Sequence, residues 1–551
     1  MTLKNTTDRF YLLFICLAFI CLIIGLGSYG LAETSEARYA EISREMLLTG
    51  DYLNPKLLGI FHFHKPPITY YITSLGYQIF GINEFGARFF LQVAVIIQLL
   101  FIYGLAQLLF KSKKIAFLSG LIYFSIPIVL ISTRNLTTDA YLTTFIIASI
   151  YCWQYYTINK NLLFLYGFYL LLGLGILTKG PVAILFILVY TITNKIIFKS
   201  SFKINIHHIL GSIICLSLGT SWFTIVMIEN PKLWDYFIEK QIVGRMTGNS
   251  FSERSKPFWF FFPIIIGLLL PWLIGSIPKF KFKMRSLSKI CKESQLLLIA
   301  SIVLLLIFSS FSTKLILYIL PVFWMLAIFI AKQLDALDEK SQKYISISYL
   351  VILSLLFISL LVCWYFQFEL ISIQTISIIT SFMVVIIAYG AYFFLDTGNS
   401  FKPALISAIF GVSILLISGT VLKTNSPLIN STRHMANFIK HISKEEDKTI
   451  LVYDYLLTSI PFYSNAEYIT LQSTHRTTDR EVQFQNNEDW RKQLWDVNTP
   501  DVIANLKQLS KARHTFLLVR NKSELNENIQ FLRNAFDQKK EYPKWTIFYN
   551  N

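Results

Sequence analysis

Apolar runs of roughly twenty residues recur from Phe10 to Val421, and each is long enough to cross a hydrocarbon core of about 30 Å. A chain built this way needs a bilayer as its solvent. Spans are expected near 10–30, 86–109, 115–132, 138–158, 162–177, 180–198, 206–228, 258–278, 295–311, 315–332, 344–366, 370–395 and 402–421, about thirteen in all. Composition agrees: 54% of residues are hydrophobic and 15% charged, against about 45–50% and about 25% in soluble domains. The first run lacks a small-residue cleavage site and leads straight into a polar loop, so it reads as a retained span.

The formal charge of +17 does not point to nucleic acid, because the basic residues fall in loops that alternate with the apolar runs. With Lys4 and Arg9 cytoplasmic, the loops 111–114, 195–203 and 279–292 share that side and are the most basic short loops. The opposite face then receives 31–85, 133–137, 178–179, 229–257 and the tail from about 423. The cysteines Cys16, Cys21, Cys152, Cys215, Cys291 and Cys363 lie in or beside apolar runs with no CxxC pair. Neither a disulfide framework nor a thiolate metal site is indicated.

Segment 31–85 is too polar to span. Ala40, Ile42, Met46 and Leu47 stand at helical spacing opposite Glu41, Arg44 and Glu45, the pattern of an amphipathic interfacial helix. Ile68 to Phe80 predicts a second, juxtamembrane helix. After Val421 the chain turns polar, with strands expected at 449–453, 468–471, 515–519 and 545–549 and helices at 501–512 and 525–537. The expected fold is therefore an α-helical polytopic membrane protein with a small C-terminal α/β extramembrane domain. The transmembrane domain is assigned to 1–422, loop 31–85 included, and the C-terminal domain to 423–551.

Ionisable residues gather on the non-cytoplasmic face. Glu33, Glu36, Arg38 and Tyr39 follow the first span; arginine offers phosphate oxygens a planar bidentate fork, while Thr34 or Ser35 with Glu36 also reads as an ordinary helix start. His62-Phe63-His64-Lys65-Pro66-Pro67 puts two imidazoles two residues apart beside a cation. His62 and His64 are the candidates for a metal, although such pairs are more often turn residues and a metal is not supported. Arg134, Asp139, Lys179, Lys314 and Tyr318 stand at span ends, where ionisable groups at membrane depth line a cavity or simply snorkel. The loop from Glu229 to Pro257 carries Glu239, Lys240, Arg245, Glu253, Arg254 and Lys256 and reads either as a lid or as a solvated connector.

In order along the chain, Glu36-Ala37-Arg38-Tyr39-Ala40-Glu41-Ile42-Ser43-Arg44-Glu45-Met46, Gly50-Asp51, His64-Lys65-Pro66-Pro67, Thr178-Lys179-Gly180, Lys256-Pro257-Phe258-Trp259, Leu270-Pro271-Trp272 and Lys314-Leu315 resemble the lipid A aminoarabinose transferases. These belong to the wider GT-C, protein-mannosyltransferase-like glycosyltransferases. The resemblance implies a Gram-negative inner-membrane enzyme that takes a sugar from an undecaprenyl-phosphate donor at the periplasmic side and gives it to a lipid A phosphate. Membrane lipids are its other partners, and no cofactor is certain. By position, Glu33 or Glu36 takes the catalytic carboxylate role and Asp139 is the second acidic residue. Arg38, Tyr39, His64, Lys65, Lys179, Arg245, Arg254, Lys314 and Tyr318 are expected to bind substrate.

Two departures stand out. The family has aspartate in the first loop where this chain has Ser35 or Glu33, so which carboxylate acts stays open. Relatives also show glutamate before Lys-Pro and histidine before Pro-Phe-Trp, where this chain has His64 and Arg254, so a divalent metal is not supported. A phosphate monoester acceptor, with a second pKa of about 6, is already anionic and needs little general-base help. The carboxylates are therefore expected to orient substrate or stabilise positive charge at the anomeric carbon. The alternatives are a protein or glycan O-glycosyltransferase of the same fold, using a hydroxyl acceptor, and a membrane transporter. Transport is disfavoured because the polar clusters lie at one face. Aminoarabinose, galactosamine and a neutral hexose are all open as the sugar.

Overall fold

The computed structural model of the chain describes residues 6–199, 204–244, 255–274, 290–368, 371–394, 400–426, 428–443, 448–464, 466–473 and 482–550. The chain divides into two compact units. One comprises Met1–Ser28, Arg88–Met227 and Trp234–Thr424; the other comprises Tyr29–Ala87, Ile228–Leu233 and Asn425–Asn551.

The first unit is helical, and each expected span contains a helix. Among the described residues, nine helices are long and apolar enough to cross a membrane, or ten if the pair Lys113–Ser125 and Pro127–Arg134, bent by 60°, is one span. Pro127 accounts for the bend: it has no N–H to give the preceding turn and holds Ile126 extended, at φ −77° and ψ 118°. Val182–Phe198 and Phe258–Ile274 are shorter, and Asp139–Asn159 dilutes its apolar character with Asp139, Gln154 and its tyrosines. The first helix stops at Ile23, before the expected end near residue 30, because Gly25 turns the chain at φ 69°.

Buried hydrogen bonds tie these helices together where lipid offers no partners. The Gln98 amide donates to Ala140 O and Thr144 Oγ1, both at 2.9 Å, and accepts from Tyr123 Oη at 2.7 Å. Near the N-terminus, Asp8 accepts from Tyr103 at 2.6 Å and from Lys113 at 2.5 Å.

The second unit joins the first loop to the C-terminal sheet. In the loop, helix Ser35–Thr49 ends at Gly50, whose left-handed φ of 72° lets its N–H return to Met46 O at 3.0 Å. Strands β1 (Lys56–Leu57) and β2 (Ile60–Phe61) then pair antiparallel across a two-residue turn. Leu58 and Gly59 both have positive φ, 56° and 71°, the geometry of a type I′ hairpin. Helix Ile68–Phe80 follows, so both helices expected in this segment are present.

The C-terminal strands are β3 (Thr449–Tyr453), β4 (Glu467–Gln472), β5 (Leu494–Asp496), β6 (Thr515–Arg520), β7 (Gln538–Glu541) and β8 (Trp545–Tyr549). They form one sheet in the order β5-β4-β3-β6-β8-β7. The first four run parallel, with Leu451 opposite Ile469 and Leu517, and β8 is antiparallel to both β6 and β7. Alternation along β3 and β6 sends Ile450, Val452, Phe516 and Leu518 to one face and Leu451, Tyr453, Leu517 and Val519 to the other. A parallel sheet requires cover on both faces. The second face packs under Leu506, Leu525, Ile529 and Leu532; the first packs under Met435 and Ile439 and, from the first loop, Ile42, Met46, Leu57 and Tyr70.

The four expected strands are present, and the helix expected at 501–512 is Pro500–Leu509. The helix expected at 525–537 is absent. Leu525, Ile529 and Leu532 do face the core, but the Asn526 side chain accepts the Asn528 N–H at 3.0 Å and starts a 3-10 turn instead, Glu527–Ile529. A four-residue helix, Leu532–Ala535, follows, and the chain then enters β7.

Candidate active site

Glu33 sits in the chain entering helix Ser35–Thr49. Its carboxylate accepts the Ser459 N–H at 2.7 Å and the Thr458 hydroxyl at 3.0 Å. Burial raises its carboxyl above the ordinary range, against the Ser459 and Thr458 hydrogen bonds and the Arg38 charge, which pull it down. Arg38 lies within the electrostatic reach of Glu33, its buried Nε without a hydrogen-bond partner, and the Tyr39 ring lies tilted against Tyr70, centroids 5.7 Å apart. Glu36 differs from Glu33: it is 1% exposed, and its Oε2 accepts the Ala32 N–H at 2.8 Å. It serves the start of the helix, satisfying a backbone donor that precedes it.

Further along this helix, Glu41 is fully buried and forms a bidentate pair with Arg44, at 2.6 and 2.8 Å. Glu45 accepts N–H groups from Leu58 and Gly59 at the hairpin turn. The hairpin delivers His62 and His64, both buried, with rings edge to face at 4.2 Å. His64 also lies 5.9 Å from Phe484, and Lys65 comes next, half-buried. Among the described residues, no group of three histidine, cysteine, aspartate or glutamate side chains could hold a metal.

The first unit contributes a separate constellation. Asp139 opens one helix and Lys179 closes another, the ends that helix dipoles favour for an anion and a cation. The two side chains form an ion pair, each 11% exposed, and the Lys179 ammonium stands 4.6 Å from the Tyr318 ring centroid. Gly180, at φ 82°, makes the sharp exit that leaves Lys179 at the helix end. Three expected residues thus meet. Lys314 is 3% exposed and donates to Lys256 O at 2.8 Å and to Phe311 O, beside the Ser255–Thr313 bridge. Its ammonium closes the Lys256 segment on its own loop. Arg245 and Arg254 lie outside the described residues.

Several neighbours of these groups have no motif in sequence. Thr458 and Ser459, which hold Glu33, lie more than 400 positions away. Arg520, the last residue of β6, covers Tyr455 at 4.5 Å and Trp545 at 5.8 Å. Arg88 is fully buried and donates to Leu26 O at 2.9 Å. A lone arginine within an apolar helix is the one signal that sequence offered for it.

The sequence profile of the dolichyl-phosphate-mannose-protein mannosyltransferase family matches residues 64–223. An undecaprenyl phosphate-alpha-4-amino-4-deoxy-L-arabinose arabinosyl transferase of Photorhabdus laumondii is 28% identical over 432 residues, 76% of this chain and 77% of the relative. A transferase of the same name from Aeromonas hydrophila is 33% identical over 328 residues, 58% of this chain and 59% of its own. In three dimensions the chain is similar to ArnT of Cupriavidus metallidurans, solved bound to undecaprenyl phosphate, with a TM-score of 0.78, 19% identity and 99% of each chain covered.

Proposed function

Because the chain is an ArnT-like glycosyltransferase of the GT-C type, we propose that it moves 4-amino-4-deoxy-L-arabinose from undecaprenyl phosphate to a phosphate of lipid A, at the periplasmic face of the inner membrane. The reading is carried by the match along three quarters of the chain to a transferase named for that donor. In the reaction the bond between the anomeric carbon and the carrier phosphate oxygen breaks, and a lipid A phosphate oxygen takes its place. Undecaprenyl phosphate leaves as the monoester.

That chemistry asks little base catalysis of the protein, since the nucleophile is already an anion. It does ask for cations at two phosphates and for negative potential beside the developing oxocarbenium carbon. Glu33 is our candidate for the second task; Arg38, Lys65 and Lys179 are candidates for the first. Asp139 holds Lys179 and, through it, the approach to Tyr318.

Mass spectrometry of lipid A from cells with and without the gene tests the proposal. Loss of the aminoarabinose increment on deletion is the expected result, whereas unchanged lipid A removes the acceptor. The profile match to protein mannosyltransferases favours one rival, a hydroxyl acceptor. Purified enzyme that glycosylated peptide and left lipid A untouched would establish it.

A further inference from the structure

From β3 the chain runs outward through β4 to β5 and then crosses back to β6 on the other side of β3, so the carboxyl ends of β3 and β6 flank a topological switch point, where open α/β sheets take their ligands. Arg520 ends β6, and Tyr455 lies two residues beyond β3. The Arg520 guanidinium rests against the Tyr455 and Trp545 rings, whose own centroids are 5.5 Å apart. Tyr39, next to Arg38 in sequence, packs in the same apolar cluster as Tyr455 and Trp545, and Glu33, Arg520 and Arg38 all act electrostatically on Tyr455.

Among the described residues no hydrogen bond engages either guanidinium; the Glu33 carboxylate acts on Arg38 through its charge, while its hydrogen bonds come from Thr458 and Ser459. A guanidinium carries five N–H donors, and the single Glu33 charge leaves the two together with a net positive charge. The two cation–π contacts hold the Arg520 guanidinium in place, and its N–H donors can still serve an anion. A phosphate monoester, with up to two negative charges near neutral pH, matches two cationic forks better than a single carboxylate does.

We propose that Arg520, together with Arg38, forms a phosphate-monoester subsite at the carboxyl ends of β3 and β6, with Tyr455 and Trp545 holding the Arg520 fork in place. The proposal rests on the reading of Arg38 as a phosphate-holding residue. Of the two substrates, the lipid A acceptor carries a phosphate monoester and the sugar donor a phosphodiester with a single charge, so the acceptor is the expected occupant, and the experiment separates the two.

Full-length enzyme carrying Arg520→Gln, Arg520→Lys or Arg38→Gln is reconstituted in nanodiscs, and KM is measured separately for undecaprenyl-phosphate sugar and for lipid A. Arg520→Gln is expected to raise the KM for lipid A by about tenfold or more, the loss of charge-assisted hydrogen bonds, with a smaller change in kcat. A rise confined to the KM of the undecaprenyl-phosphate sugar would overturn the monoester assignment. Arg520→Lys keeps the cation over Tyr455 and loses only the fork, so it is expected to fold as the wild type does and still to raise the KM for lipid A. If both KM values stay within about twofold of wild type in Arg520→Lys and Arg520→Gln, the subsite is disproved. If Arg38→Gln is equally silent, the reading beneath it falls too; a strong Arg38→Gln effect beside a silent Arg520 sinks the subsite alone.

Discussion

Glu45 and Gly59 are joined by a hydrogen bond of 3.1 Å from the Gly59 N–H to the Glu45 carboxylate, and the Leu58 N–H reaches its other oxygen. Helix Ser35–Thr49 thereby fixes the tip of the hairpin whose second strand leads to His62, His64 and Lys65. Leu58 needs the help, since a branched side chain at φ 56° costs about 1–2 kcal/mol. Replacing Glu45 by alanine should destabilise the unit by on the order of 1–3 kcal/mol through two unpaired donors. Hydrogen exchange should show the loss first across residues 56–61. Exchange there no faster than in wild type would refute the assignment.

The same carboxyl gives a pH dependence with a definite sign. Burial, with the Glu41 charge second, pushes Glu45 up to about 7, against the Gly59 and Leu58 hydrogen bonds and the Arg44 charge. A carboxyl whose folded value is raised binds more protons folded than unfolded. Its favourable contribution is thus complete below the ordinary value of 4.5 and is lost as pH rises toward about 7. Burial also raises Glu33 and Glu41, so they act in the same direction. Glu45→Gln cannot ionise, so its Tm should fall less than that of wild type between about pH 5 and about pH 8. Parallel Tm curves would count against the shift.

Glu33 and Glu36 should separate in assay. Glu36→Gln keeps an oxygen for the Ala32 N–H and is expected to retain most transfer, whereas Glu33→Gln should lose roughly a hundredfold in kcat, a magnitude seen when a single electrostatic stabiliser is removed. Full transfer by both variants would dismiss the carboxylate role.

Asp139 and Lys179 are an ion pair whose breaking leaves a lone buried charge. Asp139→Asn and Lys179→Met are each predicted to cost about 3 kcal/mol or more, and the double variant less than their sum. Thermal unfolding in detergent measures all three. Strict additivity would show that the pair is uncoupled.

Gly59→Ala places a Cβ 2.3 Å from Gln493 Oε1 at a φ of 71°. A flexible amide can withdraw, so the persistent cost is the backbone conformation, about 1 kcal/mol. The Gln493→Ala background should relieve little of it. Full relief there would show that crowding dominates.

What the sequence revealed follows from where the physical signal is local. The strands Thr449–Tyr453 and Trp545–Tyr549 were readable because β-branched and aromatic residues crowd into five positions. Gln538–Glu541 was not, because an edge strand of Gln-Lys-Lys-Glu, exposed throughout, carries no apolar alternation. Leu494–Asp496 is too short to show a period. Asp139, Lys179 and Tyr318 were each legible as ionisable or phenolic groups at span ends, though their mutual contact was not. Lys314 showed the same signal, yet its ammonium is taken up by two backbone carbonyls. Arg520 and Thr458 could not be found at all, since only the fold brings Arg520 to Tyr455 and Trp545 and Thr458 to Glu33.

The first loop and the C-terminal sheet share a single apolar core, Ile42 and Met46 packing with Ile450 and Phe516. That has a consequence for biosynthesis. Residues 29–87 emerge from the ribosome long before 449–549 exist, so the segment bearing Glu33, Arg38 and Lys65 goes without the cover of Ile450 and Phe516 until the C-terminal sheet is translated. A nonsense mutation late in the gene would therefore disable residues encoded near its beginning.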